Sequence, residues 1–251
     1  MNHRVQKVSS TVLLIAVCAA ILTSCTNMPA SLNPQSSAAT QIAGLWWVMF
    51  VLGAVIWLGV IVLLLVGLFR RRPTPKAYTA LSEQQQKHTV NLWIVGGGIV
   101  MPTLVLVLLI ALTVGTLRSI GAEKPLAGAG VVIEVTGHQW WWEVHYPERG
   151  ATLQDEMRIP VGQAVEVRLT SADVIHSFWV PELHGKFDLI PGRTHIFILK
   201  ADQPGQYRGR CAEFCGRLHA KMNFIVVSMP PKEFTAWLDL NAQPLVTRSA
   251  P

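Results

Sequence analysis

The sequence predicts a two-helix transmembrane hairpin followed by an all-β domain that stands outside the membrane. Three observations carry this. Two uncharged apolar runs, 42–69 and 90–117, each exceed the roughly 20 residues a helix needs to cross a bilayer. Of the 15 acids, 14 lie beyond residue 118. From Val131 onward, β-branched and aromatic runs are broken by Gly, Pro and Asp, the pattern of short strands and turns. Half the chain is hydrophobic and only 14% is charged, which excludes an ordinary water-soluble domain for the whole 251 residues.

Residues 1–24 have the layout of a lipoprotein-type signal peptide. Arg4 and Lys7 precede an apolar run from Thr11 to Leu22 that is too short to span, and Leu22-Thr23-Ser24 leads into Cys25. Cleavage there would leave Cys25 as a lipidated first residue, with 25–41 as a polar linker to the first helix. An uncleaved anchor is the other reading of the same segment. Residues 42–118 form the hairpin. Its connecting stretch carries Arg70, Arg71, Arg72, Lys76 and Lys87 against Glu83 alone, and such a basic loop is held in the cytoplasm. Both flanks then lie outside, which agrees with lipidation at the outer face of a bacterial plasma membrane. Trp46, Trp47 and Trp93 are expected at the membrane interfaces. Gly96-Gly97-Gly98 and Pro102 are tolerated in a membrane helix where neighbours pack closely, and they predict a packing face. Neither helix contains an acid, so the hairpin offers no ion or proton site of its own.

The net charge of +6 does not indicate a nucleic-acid partner. Beyond residue 118 there are 13 Lys and Arg against 14 acids, so the basic excess flanks the apolar runs and sets topology. The domain 119–241 is large enough for one core. Strands are expected at 131–136, 140–146, 164–170, 194–199, 206–210 and 223–228, arranged as an antiparallel sandwich or small barrel. Pro230-Pro231 opens a short C-terminal helix that ends near Asn241, and 242–251 is a frayed tail.

Of the four cysteines, Cys18 lies in the leader and Cys25 is the residue that cleavage would leave lipidated. The other two, Cys211 and Cys215, share one predicted loop with His219 and Met222, and a second loop upstream offers His176. Sulfur donors with imidazoles select copper or zinc, and a thioether is typical of copper electron-transfer sites. A structural Cys₂His₂ zinc site and a Cys211–Cys215 disulfide are the alternatives. Neither uses Met222, and a bridge closing so small a loop would stabilise little.

The string Cys211-Ala212-Glu213-Phe214-Cys215-Gly216-Arg217-Leu218-His219-Ala220-Lys221-Met222 follows C-x-E-x-C-x₃-H-x₂-M, and His176 precedes Cys211 by 35 residues. Together with Gly137-His138-Gln139-Trp140-Trp141-Trp142 and the two-helix anchor, this resembles cytochrome c oxidase subunit II over nearly the whole mature chain. The resemblance implies a cupredoxin-like Greek-key domain with a dinuclear copper centre, CuA. In it Cys211 and Cys215 would bridge two coppers, and His176 and His219 would each cap one. Met222 and the Glu213 carbonyl would be weak ligands, while the Glu213 carboxylate would reach a magnesium or manganese ion at the border with subunit I. Trp140 would receive the electron from cytochrome c, and the centre would pass it to the haem/copper subunit I for oxygen reduction, beside subunit III. Trp141 and Trp142 are expected to pack. Glu143, Glu148, Asp155, Glu156 and Asp173 are candidates for the acids that meet lysines on cytochrome c, or are simply solvated.

The chain departs at Val90 from the many members of that family that carry a proton-admitting glutamate there, so that role does not transfer. It has no C-x-x-C-H haem-attachment sequence. Quinol oxidase subunit II shares the anchor and fold but lacks the copper ligands. Nitrous oxide reductase is a much longer soluble protein. A copper-delivery lipoprotein would need neither Trp140 nor Glu213.

Overall fold

The computed structural model describes residues 30–69, 82–121 and 130–242. The expected leader with Cys25, the arginines and Lys76 of the connecting stretch, and the tail beyond residue 242 lie outside them. Helix α1, Ser37–Phe69, starts five residues earlier than expected. Ser36 caps it, its hydroxyl accepting from the Ala39 amide at 3.0 Å, so the last residues of the expected linker are helical. The second spanning unit also starts early, at Glu83, because Ser82 and Gln85 form a reciprocal capping box. It runs as α2 (Glu83–Asn91), a π-helical stretch (Leu92–Val100) and α3 (Met101–Gly121). The π stretch has a local cause. Pro102 has no N–H and its ring crowds the carbonyl four residues back, and the Met101 amide instead reaches five residues back to the Gly96 carbonyl. Both units are long and apolar enough to cross a membrane. Among the described residues, a Cβ on Gly97 or Gly98 would meet nothing within 4 Å.

The β-domain is a sandwich of two five-stranded sheets. One has the order β3-β2-β1-β5-β8, with β1 Val132–His138, β2 Trp141–Tyr146, β3 Ala151–Gln154, β5 Val165–Ser171 and β8 His195–Leu199. The other has the order β4-β10-β9-β6-β7, with β4 Glu156–Pro160, β6 His176–Trp179, β7 Phe187–Leu189, β9 Gly205–Cys211 and β10 Asn223–Met229. All six expected strands are present, and the crossovers between sheets give the Greek-key, cupredoxin-like architecture. One expectation needs correction. The sheets are mixed rather than antiparallel, since β1 pairs with β5, and β10 with β4, in parallel.

Strict alternation along β1, β2 and β5 turns Ile133, Val135, Trp142, Val144, Val165, Val167 and Leu169 into the space between the sheets. Trp142 is the centrepiece, packed against Phe178 and Phe224. Helix α4 (Pro231–Leu240) closes one end with Phe234 and Leu238, and the Tyr146 hydroxyl bonds both backbone groups of Arg158. At the membrane end, residues 33–36 are tied to the domain. The Gln35 amide donates to the Glu182 carbonyl at 2.7 Å, the Asp202 amide donates to the Gln35 carbonyl at 2.9 Å, and the Ser36 hydroxyl donates to the Leu183 carbonyl. These bonds set where the domain stands over the hairpin.

Candidate metal centre

His176 was expected on a loop; it opens strand β6, opposite Leu189 on β7, and is fully buried. It fits because β1 carries Gly137 beside it, where a Cβ would lie 2.9 Å from the imidazole Cδ2. The ring is aimed from behind by Asp173, whose Oδ1 accepts from Nε2 at 2.7 Å. The same carboxylate accepts from the Val174 amide (Oδ1, 2.6 Å) and the Gln139 amide (Oδ2, 2.6 Å). Nδ1 is thereby left facing Cys211, the orientation that outer carboxylates impose on metal-binding histidines.

Cys211 is likewise a strand residue, the last of β9, its amide bonded to the Met222 carbonyl at 2.9 Å. The next amide, Ala212, donates to the Ser177 carbonyl at 2.9 Å and lashes the following loop to β6. Gly216, at φ +122°, lets that loop turn back into a 3₁₀ turn, His219–Lys221, which delivers Met222 to the core. The result is a tight group. The two Sγ atoms are 3.8 Å apart, His176 Nδ1 is 4.0 Å from Cys211 Sγ, and His219 Nδ1 is 3.7 Å from Cys215 Sγ. Met222 Sδ is 3.7 Å from Cys215 Sγ, and the Glu213 carbonyl is 3.1 Å from Cys211 Sγ.

The electrostatics split the two thiols. Burial opposes ionisation of Cys211, but hydrogen bonds from His176, from the backbone at Ser177 and Glu213, and from His219 outweigh it and bring the thiol down to about 6. Burial and the charge and hydrogen bond of Cys211 push Cys215 up to about 12. For His176 burial favours the neutral ring, yet Cys211 and Asp173 win and raise it. For Asp173 burial works upward, and the bonds from His176, Val174 and Gln139 hold it below the usual range. One thiolate therefore exists at neutral pH and a metal must displace the second proton. In the metal-free protein, thiolate ultraviolet absorbance should rise in two steps, near pH 6 and near pH 12, as a coupled pair. One two-proton step at the ordinary value of 9.0 would contradict this.

The donor set discriminates among the three chemistries. Both thiols are free, and 3.8 Å is far beyond the S–S bond of about 2.05 Å. His176, Cys211 and Cys215 form one group with all donor atoms within 4.8 Å, but His219 falls outside it, on the Cys215 side. A single tetrahedral zinc needs all four donors around one point, at bond lengths of about 2.0–2.3 Å. An elongated set, with a pair of sulfurs in the middle and an imidazole toward each end, fits two ions better than one. Soft sulfur with a thioether fits copper.

The remaining expected residues divide. Trp140, in the turn between β1 and β2, is half-buried against the loop that follows β9, its indole N–H donating to the Cys215 carbonyl at 3.2 Å. Trp141 stacks on His138 and Trp142 is core, as their expected packing requires. The Glu213 carboxylate accepts from the Phe214 amide and lies 3.8 Å from Lys186 Nζ, so a cation bound there would compete with an ammonium. Of the five acids suggested for cytochrome c, three are engaged within the chain. Asp173 holds His176, Asp155 caps the Trp142 amide at 2.8 Å, and Glu156 pairs with Arg158 at 2.6 Å. Sequence reasoning missed the bond of Asp173 to His176 and the contact of Gln139 with Cys215; the Asp-x-x-His spacing was the available signal for the first.

A sequence profile described as "Cytochrome C oxidase subunit II, periplasmic domain" matches residues 149–229. The cytochrome c oxidase subunit 2 of Alkalihalophilus pseudofirmus is 41% identical over 143 residues, which cover 56% of this chain and 42% of that protein. The chain belongs to the cytochrome c oxidase subunit II family. A Synechocystis subunit 2 is 38% identical over 49% of this chain and 37% of its own length, so the match spans less than half of these subunit 2 relatives. A quinol oxidase subunit 2 of Bacillus cereus is 29% identical over 85% of this chain and 73% of that protein. Among solved structures, the periplasmic domain of cytochrome oxidase subunit II of Bradyrhizobium japonicum is 33% identical, covering 47% of this chain and 95% of that one, with a TM-score of 0.44.

Proposed function

We propose that this chain is the electron-accepting subunit of a cytochrome c oxidase, taking electrons from cytochrome c at a dinuclear CuA centre and handing them to the haem/copper subunit I. The observation that carries the reading is the thiol pair 3.8 Å apart with an imidazole on each side. Cys211 and Cys215 would bridge two coppers, with His176 and His219 as end ligands and Met222 and the Glu213 carbonyl as weak ones. When bound, such a pair carries one electron delocalised over both metals, with little change in bond lengths. The chain's own contribution is rigidity. Asp173 fixes one imidazole, the Ala212 amide ties the cysteine loop to β6, and the buried Trp142, Phe178 and Phe224 cluster keeps water from one side.

Trp140 would be the point of electron arrival, since its indole is hydrogen-bonded to the carbonyl of one ligand residue. The exposed Val174, Ile175 and Phe214 adjoin ligands in sequence and offer apolar contact to a docking protein. The quinol reading shares the anchor but gives the ligand set no purpose. In the assembled enzyme, Trp140→Ala should slow oxidation of reduced cytochrome c by at least about tenfold while the metal content stays at two coppers per chain. Normal turnover would remove Trp140 from the route. A magnesium or manganese ion at Glu213 would require Lys186 to give way and further ligands from subunit I. Lipidation at Cys25 and an outer-face β-domain complete the reading, and mass spectrometry of the mature chain tests the first.

A further inference from the structure

We propose that Gln139 is a positioning residue that staples the two ligand-bearing segments together, one arm through its backbone and the other through its side-chain amide. The inference rests on the two-copper reading above. Gln139 lies in the turn between β1 and β2 and looks, from sequence and exposure, like a solvated amide. Its bonds say otherwise. The backbone N–H donates at 2.6 Å to Asp173 Oδ2, while the other oxygen of that carboxylate holds His176 Nε2 at 2.7 Å. The side-chain Nε2 donates at 2.7 Å to the Cys215 carbonyl, the acceptor that the Trp140 indole also uses at 3.2 Å.

A third observation shows that the space for these donors is kept open. Gly216 follows Cys215 at φ +122°, and a Cβ there would lie 3.1 Å from Gln139 Nε2 and 3.2 Å from the Trp140 ring. Glycine at 216 thus serves the turn and admits both donors against the backbone. Two consequences follow from elementary chemistry. An amide tying a ligand loop to the neighbouring turn keeps the thiols and imidazoles near their bound geometry before metal arrives, which slows release. Two N–H donors on one carbonyl also draw electron density from the Cys215 residue, weakening its thiolate as a donor. Removing the stronger of the two should favour the oxidised centre and lower its reduction potential.

The test uses the full chain in detergent, loaded with copper, as wild type, Gln139→Met and Gln139→Glu. Both variants keep the backbone arm and the methylene stem; the first removes the donor, and the second replaces it with an acceptor. Copper transfer to a chelator is expected to speed up about tenfold in both, with a lower midpoint potential in Gln139→Met. Release and potential equal to wild type would overturn the inference. So would faster release with an unmoved potential and an unmoved copper spectrum, which a purely structural loosening would give. A wild-type protein with no two-copper spectrum would sink the underlying reading and this inference with it. A normal wild-type spectrum with unmoved variants would sink the inference alone.

Discussion

Replacing Cys211 with serine is expected to abolish the two-copper centre while leaving the β-sandwich folded. Cys211 ends β9, is almost fully buried, and lies between His176 on one side and Cys215 on the other. A serine hydroxyl fills the same space, so the surrounding core is undisturbed. It does not ionise near neutral pH as Cys211 does at about 6, so it supplies neither the bridging charge nor the soft donor. The variant should hold at most one copper, in a site made by Cys215, His219 and Met222, with the spectrum of an isolated ion. Metal analysis with electron paramagnetic resonance reads this directly. Two coppers with an unchanged spectrum would show that Cys211 is no ligand.

Asp173→Asn should weaken metal retention by roughly 10–100-fold, the usual consequence of removing the carboxylate behind a ligating histidine. Asp173 accepts three N–H bonds, from His176, Val174 and Gln139. An asparagine keeps one carbonyl oxygen and turns an N–H₂ toward at least one of those donors. The imidazole, fully buried beside Trp142, then loses the partner that sets which nitrogen faces the thiols. The sign of the proton linkage is fixed by geometry as well. Asp173 helps raise His176, so the substitution should lower the imidazole pKa in the metal-free protein, which an NMR titration reads. In the unsubstituted protein the Asp173 carboxyl is itself held below 3.8. The clamp is therefore complete above the ordinary carboxylate range and fails only in stronger acid, as pH falls through the depressed value. Unchanged copper release from Asp173→Asn would remove the carboxylate from the account.

The hairpin and six strands were legible because each is a long run with a clear period or a clear lack of charge. Strands β3, β6 and β7 were not, being only three or four residues long, and the five residues of β4 are interrupted by Arg158 and end on Pro160. Three of the four residues of β6 are buried, so no alternation marks it, and its His176 reads as part of a loop. Parallel pairing of β1 with β5 is decided by long-range packing and leaves no local trace. The candidate ligands were visible, since most are carried on one short stretch with the spacing of a metal-binding loop. Their supports were hidden for the opposite reason. Asp173 and Gln139 reach the site across separate turns, and alone each looks like a polar surface residue.

In the function proposed above, two thiols and two imidazoles hold a pair of copper ions. The most direct test is electron paramagnetic resonance of the full chain, purified and given copper, alongside metal analysis. Two coppers per chain with a mixed-valence spectrum, one unpaired electron spread over both nuclei, is the predicted result. A single-copper spectrum, or a zinc-filled site, would contradict it.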